Sequence, residues 1–252
     1  MPTVRFIGRV LPAAIDVSIP NEPEFTWTSH DLGLDMTFRL QIQKNSVIVD
    51  CDVNKFVPAD HLVPLFMRAY DIARASVDLA AFASGKGLLL IFDTFIDPAG
   101  ATLPLAAHKP SLTALASAVK PGTRDFDKLL QVVLAEPALF VALHDLVEAI
   151  TAPHHAAFHC ARAIAGMRSL FVALGGSPDS RWATLRDKLQ VSKSYLQAIT
   201  NPTAATEGQP MHMDPGMQSH VIHGAWTIMN RYLEFRRRDG QPLPLSEFPL
   251  LV

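Results

Sequence analysis

Residues 153–174, PHHAAFHCARAIAGMRSLFVAL, constrain this chain more than any other stretch. On a helical wheel, Phe158, Ala161, Ile164, Ala165, Met167, Leu170, Phe171 and Val172 cover most of the circumference. A helix that is apolar nearly all round lies at the centre of a bundle rather than on its surface, so the pattern predicts a core helix with others around it. His155, His159 and Arg162 interrupt it at i, i+4 and i+7 and project from one side, with Arg168 isolated elsewhere. Burying such groups unpaired costs roughly 1–3 kcal/mol each. They must find partners or water, and this polar line is the first place to look for function.

The flanking sequence supplies the rest of a bundle. Residues 109–119 read as a short helix, Thr123 caps a second that runs to Leu134, and Pro137 opens a third that reaches Ile150. Gly175-Gly176 closes the central helix, and Ser177-Pro178 is an N-cap followed by a first-turn proline. That start leads into a helix through Trp182, Leu185 and Leu189, with a separate one over 195–199. The last helix is expected from Asp214-Pro215 to about Arg238. Residues 200–214, TNPTAATEGQPMHMD, lack periodicity and are long for a helix–helix link.

The first hundred residues have a different period. Met36, Phe38, Leu40 and Ile42 alternate with polar residues, Lys44-Asn45 signals a turn, and Val47, Val49, Cys51 and Val53 continue on one face. That is a hairpin from a sheet covered on one side. Short β-like runs precede it between 3 and 29. A helix capped by Asp60 follows, with Pro64 in its first turn and apolar positions from Leu62 to Ala83. Gly85 ends this helix, and 87–93 read as a buried strand. Gly85-Lys86-Gly87 is not a phosphate loop, because it follows a helix and precedes a strand. The predicted class is α+β: a small antiparallel sheet with one long helix over 1–100, then an all-α helical bundle over 101–252.

Hydrophobic residues make up 49% and charged residues 18% of 252, which is ample for packed cores. The net charge of −2 argues against a protein dominated by nucleic-acid or membrane electrostatics. Cys51 and Cys160 have no CxxC spacing and are expected to be reduced core residues. The first residues lack the apolar run of a signal peptide, and charges interrupt the apolar segment 129–150. A cytoplasmic protein with no membrane partner and no cofactor is the expectation.

Three constellations carry chemistry. His155 and His159 at i, i+4, with Asp145 and Glu148 on the preceding helix, could present four donors to a metal, as in helical di-metal sites. His220 and His223 on the last helix share a similar spacing, but no HExxH occurs. Arg162 is expected to pair with Asp145 or Glu148 and Arg168 to snorkel to the surface, the alternative being an anion clamp. Arg231 and Arg236–Arg238 are read as a solvated helix end that complements the macrodipole, the alternative being a weak contact with an RNA backbone. No GxSxG elbow is present.

Over residues 125–238 the helix order resembles the HEPN superfamily: a long central helix with an inward arginine, a capped helix bearing a Trp, a loop and a final long helix. The resemblance implies a homodimer formed through the bundle, and in many members metal-independent cleavage of RNA by an arginine followed a few residues later by a histidine. His212, in AATEGQPMHMDPGMQSH, stands for that histidine, but no arginine precedes it at that spacing. The favoured expectation is a non-catalytic binding or interaction module of bacterial type, within a defence or stress system and with an RNA or protein partner. The alternative is a metal-independent endoribonuclease using Arg162, His212 and either His159 or His220. The second alternative is a metal-dependent hydrolase built on His155, His159, Asp145 and Glu148.

Overall fold

Alternation builds the first of two compact units, Met1–Ala107. Strand β3 (Leu34–Gln43) buries Leu34, Met36, Phe38, Leu40 and Ile42, and β4 (Ser46–Val53) buries Val47, Val49, Cys51 and Val53. Lys44 and Asn45, both at positive φ, join them as a two-residue hairpin turn. Strand β1 (Thr3–Leu11) pairs antiparallel with both β4 and β5 (Leu89–Ile96). Strands β2 (Phe25–Ser29) and β6 (Thr102–Pro104) complete a six-stranded sheet in the order β2-β3-β4-β1-β5-β6. Helix α1 (Leu62–Ser84) covers the apolar face with Leu65, Ala69, Ile72, Ala73 and Val77. The other face is wet and carries charge pairs across strands, among them Arg5–Asp50 and Arg39–Asp52, each at 2.6 Å. The computed structural model describes residues 2–20, 24–30, 33–55, 62–105, 112, 120–151, 155–171, 178–201 and 215–252.

The strand expected at 87–93 differs from a uniformly buried one. It runs from Leu89 to Ile96 and turns Leu90 and Phe92 inward while Leu89 stays exposed. A register shift between Ile7 and Gly8 leaves Asp93 out of the backbone register with β1, although its carboxylate pairs with Arg9 of that strand at 3.2 Å. An inserted residue reverses the parity of a strand, so Phe92 and Phe95, three apart, both reach Phe6, with ring centroids 6.3 and 6.4 Å away. Glycine is required at the bulge, because a Cβ on Gly8 would lie 2.3 Å from the Ile91 carbonyl oxygen. Strand β6 carries the sheet past the boundary expected at residue 100, and the division between units falls at Ala107/His108.

The second unit, His108–Val252, is helical throughout its described elements. Thr123 caps α2 (Arg124–Ala135) by accepting from the Phe126 N–H at 3.2 Å. The axis bends by 111° at Glu136 into α3 (Pro137–Thr151). Next come α4 (Ala156–Ser169), α5 (Pro178–Leu189), α6 (Lys193–Thr200), capped by Ser192, and α7 (Pro215–Arg237). Helix α4 packs against α3, α5, α6 and α7, so it is the hub that its composition predicts. It is shorter than the 153–174 expected, and it is not buried all round. Ala156, Cys160, Ala163, Ile164 and Met167 enter the core, whereas Phe158 stays 60% exposed. Among the described residues no single helix is long and apolar enough to cross a membrane.

The basic end of α7 is not simply solvated. Arg231 is only 8% exposed and donates to the carbonyls of Leu189 (3.0 Å), Gln190 (2.7 Å) and Pro249 (2.7 Å). The C-terminal segment is sewn to the same junction by Leu251 N–H to Gln190 O and Ser192 N–H to Leu251 O. Arg236 pairs with Glu136, Arg237 with Glu234, and Arg238 with Glu234 and Glu247. The Asp60 cap and the linker residues 202–214 lie outside the described residues, as does the 109–119 helix except for Leu112.

Candidate binding groove beside a buried ion pair

Asp145 lies on the core face of α3, between Ala142, Leu146 and Ala149, and has no exposed surface. A carboxylate there requires a cation. Arg162 of α4 provides it in a two-pronged contact, Nε donating to Oδ2 at 2.8 Å and Nη2 to Oδ1. His159, one turn earlier on α4, places Nδ1 3.3 Å from Asp145 Oδ1 and 3.5 Å from Arg162 Nη2. Burial alone would raise the Asp145 pKa. The hydrogen bonds and charge of Arg162, with His159, outweigh that and hold it below the usual carboxylate range. The same contact raises the pKa of Arg162.

This arrangement brings together Asp145, His159 and Arg162 of the sequence candidates and leaves the others apart. His155 stands exposed ahead of α4, its ring centroid 6.3 Å from that of His159. Glu148 interacts within its own helix, with Thr151 and His144. His220 is exposed on α7 and His212 lies outside the described residues. The quartet of the metal reading is therefore not gathered, because both Asp145 oxygens are taken by a guanidinium. Among the described residues no group of three or more His, Cys, Asp or Glu side chains is disposed to hold a metal ion. Cys51 and Cys160 are buried and unbridged, and burial pushes the Cys51 thiol up to about 12.

Arg162 has a second aspect. Its side chain is 48% exposed, its guanidinium lies 5.1 Å from the centre of the Phe158 ring, and both residues line a groove of about 700 Å³. Three helices each contribute one stripe at helical spacing. From α4 come Phe158, Ala161, Arg162 and Ala165; from α5, Asp179, Trp182 and Arg186. Lys193, Leu196, Gln197 and Thr200 come from α6, with Asn201 just beyond it. Arg168 does not snorkel freely: its guanidinium lies 5.0 Å from the centre of the Trp182 ring and steadies the indole. Sequence reasoning missed the α5 and α6 stripes. The spacing of Asp179, Trp182 and Arg186 was visible, but a stripe becomes a wall only when a second helix faces it.

Comparison with known proteins places both units. Residues 4–105 match the family model described as the N-terminal domain of DUF8168, a domain of unknown function, and residues 126–237 match its C-terminal domain. No curated protein and no solved structure matches the chain. The sheet unit and the bundle unit thus correspond to two successive family domains, and the chain carries both parts of the DUF8168 family in order.

Proposed function

We propose that the chain is a non-catalytic binding module whose C-terminal bundle holds a small ligand in the groove between α4, α5 and α6. The observation that supports this most is the state of α4. Its composition suits a helix buried on every side, yet Phe158, Ala161 and Ala165 are turned toward a concave space of about 700 Å³. Clefts of that size with apolar walls and a few polar groups are the usual form of small-molecule sites. Arg162 fits the same role, since Asp145 fixes one side of its guanidinium while the other faces the groove.

The test uses N-phenylnaphthylamine, an uncharged dye that brightens in apolar sites. Wild-type protein is expected to enhance its emission in a saturable way, and Ala165→Phe, which fills the groove from α4, should abolish the enhancement. Saturable binding left intact by Ala165→Phe would remove this reading. The second reading is metal-independent RNA cleavage, favoured by the 3.5 Å approach of His159 Nδ1 to Arg162 Nη2 at an accessible guanidinium. Its test is cleavage of mixed-sequence RNA with EDTA present, lost in both Arg162→Ala and His212→Ala.

A further inference from the structure

We infer that the groove selects a small amphiphilic monoanion, an apolar body bearing a single carboxylate or similar group. This rests on the groove being a binding site and adds the chemistry of what it takes. Most arginines of the bundle have a structural partner: Arg162 has Asp145, Arg231 has three carbonyls, and Arg236–Arg238 have glutamates. Arg186 and Lys193, which line the groove from α5 and α6, have no side-chain hydrogen bond or ion pair among the described residues.

The position of Lys193 makes this more informative. It is the first residue of α6, where the helix dipole disfavours a cation, and no acidic residue in that turn offsets it. Lys193 therefore works against its own helix, and an anion arriving in the groove would relieve that. Among the described residues Asp179 is the groove's one carboxylate. Arg162 is already matched by Asp145, so Arg186 and Lys193 against Asp179 leave a single positive charge over. A monoanion balances it, and a dianion overshoots. The apolar wall of Phe158, Ala161, Ala165 and Leu196 calls for a hydrophobic body attached to that anion.

Two dyes that differ in one group separate the possibilities: N-phenylnaphthylamine and its sulfonated relative anilinonaphthalene sulfonate. Full-length protein is titrated with each by fluorescence, and circular dichroism melting confirms that every variant keeps the wild-type transition. The sulfonate is expected to bind roughly tenfold tighter than the neutral dye, as a charge-assisted contact would give. Arg186→Met and Lys193→Met should each weaken the sulfonate several-fold more than they change the neutral dye. Added NaCl should weaken only the sulfonate. Equal affinity for the two dyes, or cation variants that move both alike, would overturn the monoanion assignment while the groove itself stands. Neutral-dye binding that ignores Ala165→Phe would remove the groove reading, and absence of binding by either dye would remove both.

Discussion

Arg162→Met and Asp145→Leu break the same ion pair from opposite ends, and they are expected to cost very different amounts. Removing the guanidinium leaves a carboxylate with no exposed surface among Ala142, Leu146 and Ala149, with only His159 Nδ1 at 3.3 Å to answer it. Stranding a buried charge in this way costs about 3–5 kcal/mol, and the neighbouring imidazole argues for the lower end. Removing the carboxylate leaves a guanidinium whose side chain is already 48% exposed. It can turn to water, and the new leucine joins an apolar face, so the expected cost is about 1 kcal/mol or less. The double variant replaces both charges with apolar groups and should lie near the wild type. Urea unfolding followed at 222 nm reads these differences. With a slope of about 2 kcal/mol per molar urea, the Arg162→Met midpoint falls by about 1.5 M and that of Asp145→Leu by about 0.5 M or less. Equal losses, or a larger loss for Asp145→Leu, would refute the idea that the carboxylate is the group that cannot stand alone.

The pH dependence follows from the same site. Asp145 and Glu234 both have carboxyls held below their ordinary range, Asp145 despite its burial and Glu234 mainly through the hydrogen bond from Arg237. The unfolded chain then takes up protons first, so their stabilisation is complete above about pH 5 and is lost as the pH falls through the depressed values. Asp145→Asn should flatten the acid limb of urea midpoints plotted against pH, and an unchanged limb would count against the pairing. Arg231→Met removes three donations to backbone carbonyls and should cost about 3 kcal/mol. It should also speed hydrogen exchange of the Leu251 and Ser192 amides, which bond across the same junction, and exchange equal to wild type would show that the segment is held by other contacts. Gly8→Ala forces a Cβ onto the Ile91 carbonyl and should destabilise the sheet unit by about 1–3 kcal/mol, read from Trp27 fluorescence during unfolding.

The parts of the fold legible in the sequence are those with one dominant period. The alternation of β3 and β4 and the turn at Lys44-Asn45 specify the hairpin, and the Thr123 and Pro137 signals mark helices where the chain forms them. The Arg162–Asp145 pair was legible for a different reason: a polar line on a predicted core helix must find a partner, and the preceding helix offered a carboxylate. Where two periods or two distant segments meet, the sequence is silent. Strand β5 turns only alternate residues inward, so a run that looks uniformly apolar is half-exposed, and the bulge opposite Gly8 then shifts its parity by one residue. Arg231 reads as surface charge because its partners are backbone carbonyls, which carry no sequence signature. The groove depends on three helices meeting, and only one wall stands out beforehand.

The bulge has a further consequence for how the sheet avoids assembling wrongly. Antiparallel strands rich in valine, isoleucine and phenylalanine can pair in several alignments of similar energy, and a slip by one residue would carry Phe6 and Val10 to the wet face. A slip also moves a different residue of β1 against the Ile91 carbonyl. On either side of Gly8 that residue is Ile7 or Arg9, and neither can occupy a gap closed to any Cβ. The missing side chain at Gly8 therefore acts as an index mark. β1 and β5 are far apart along the chain, and they lock only in the alignment that brings this one position to that one oxygen.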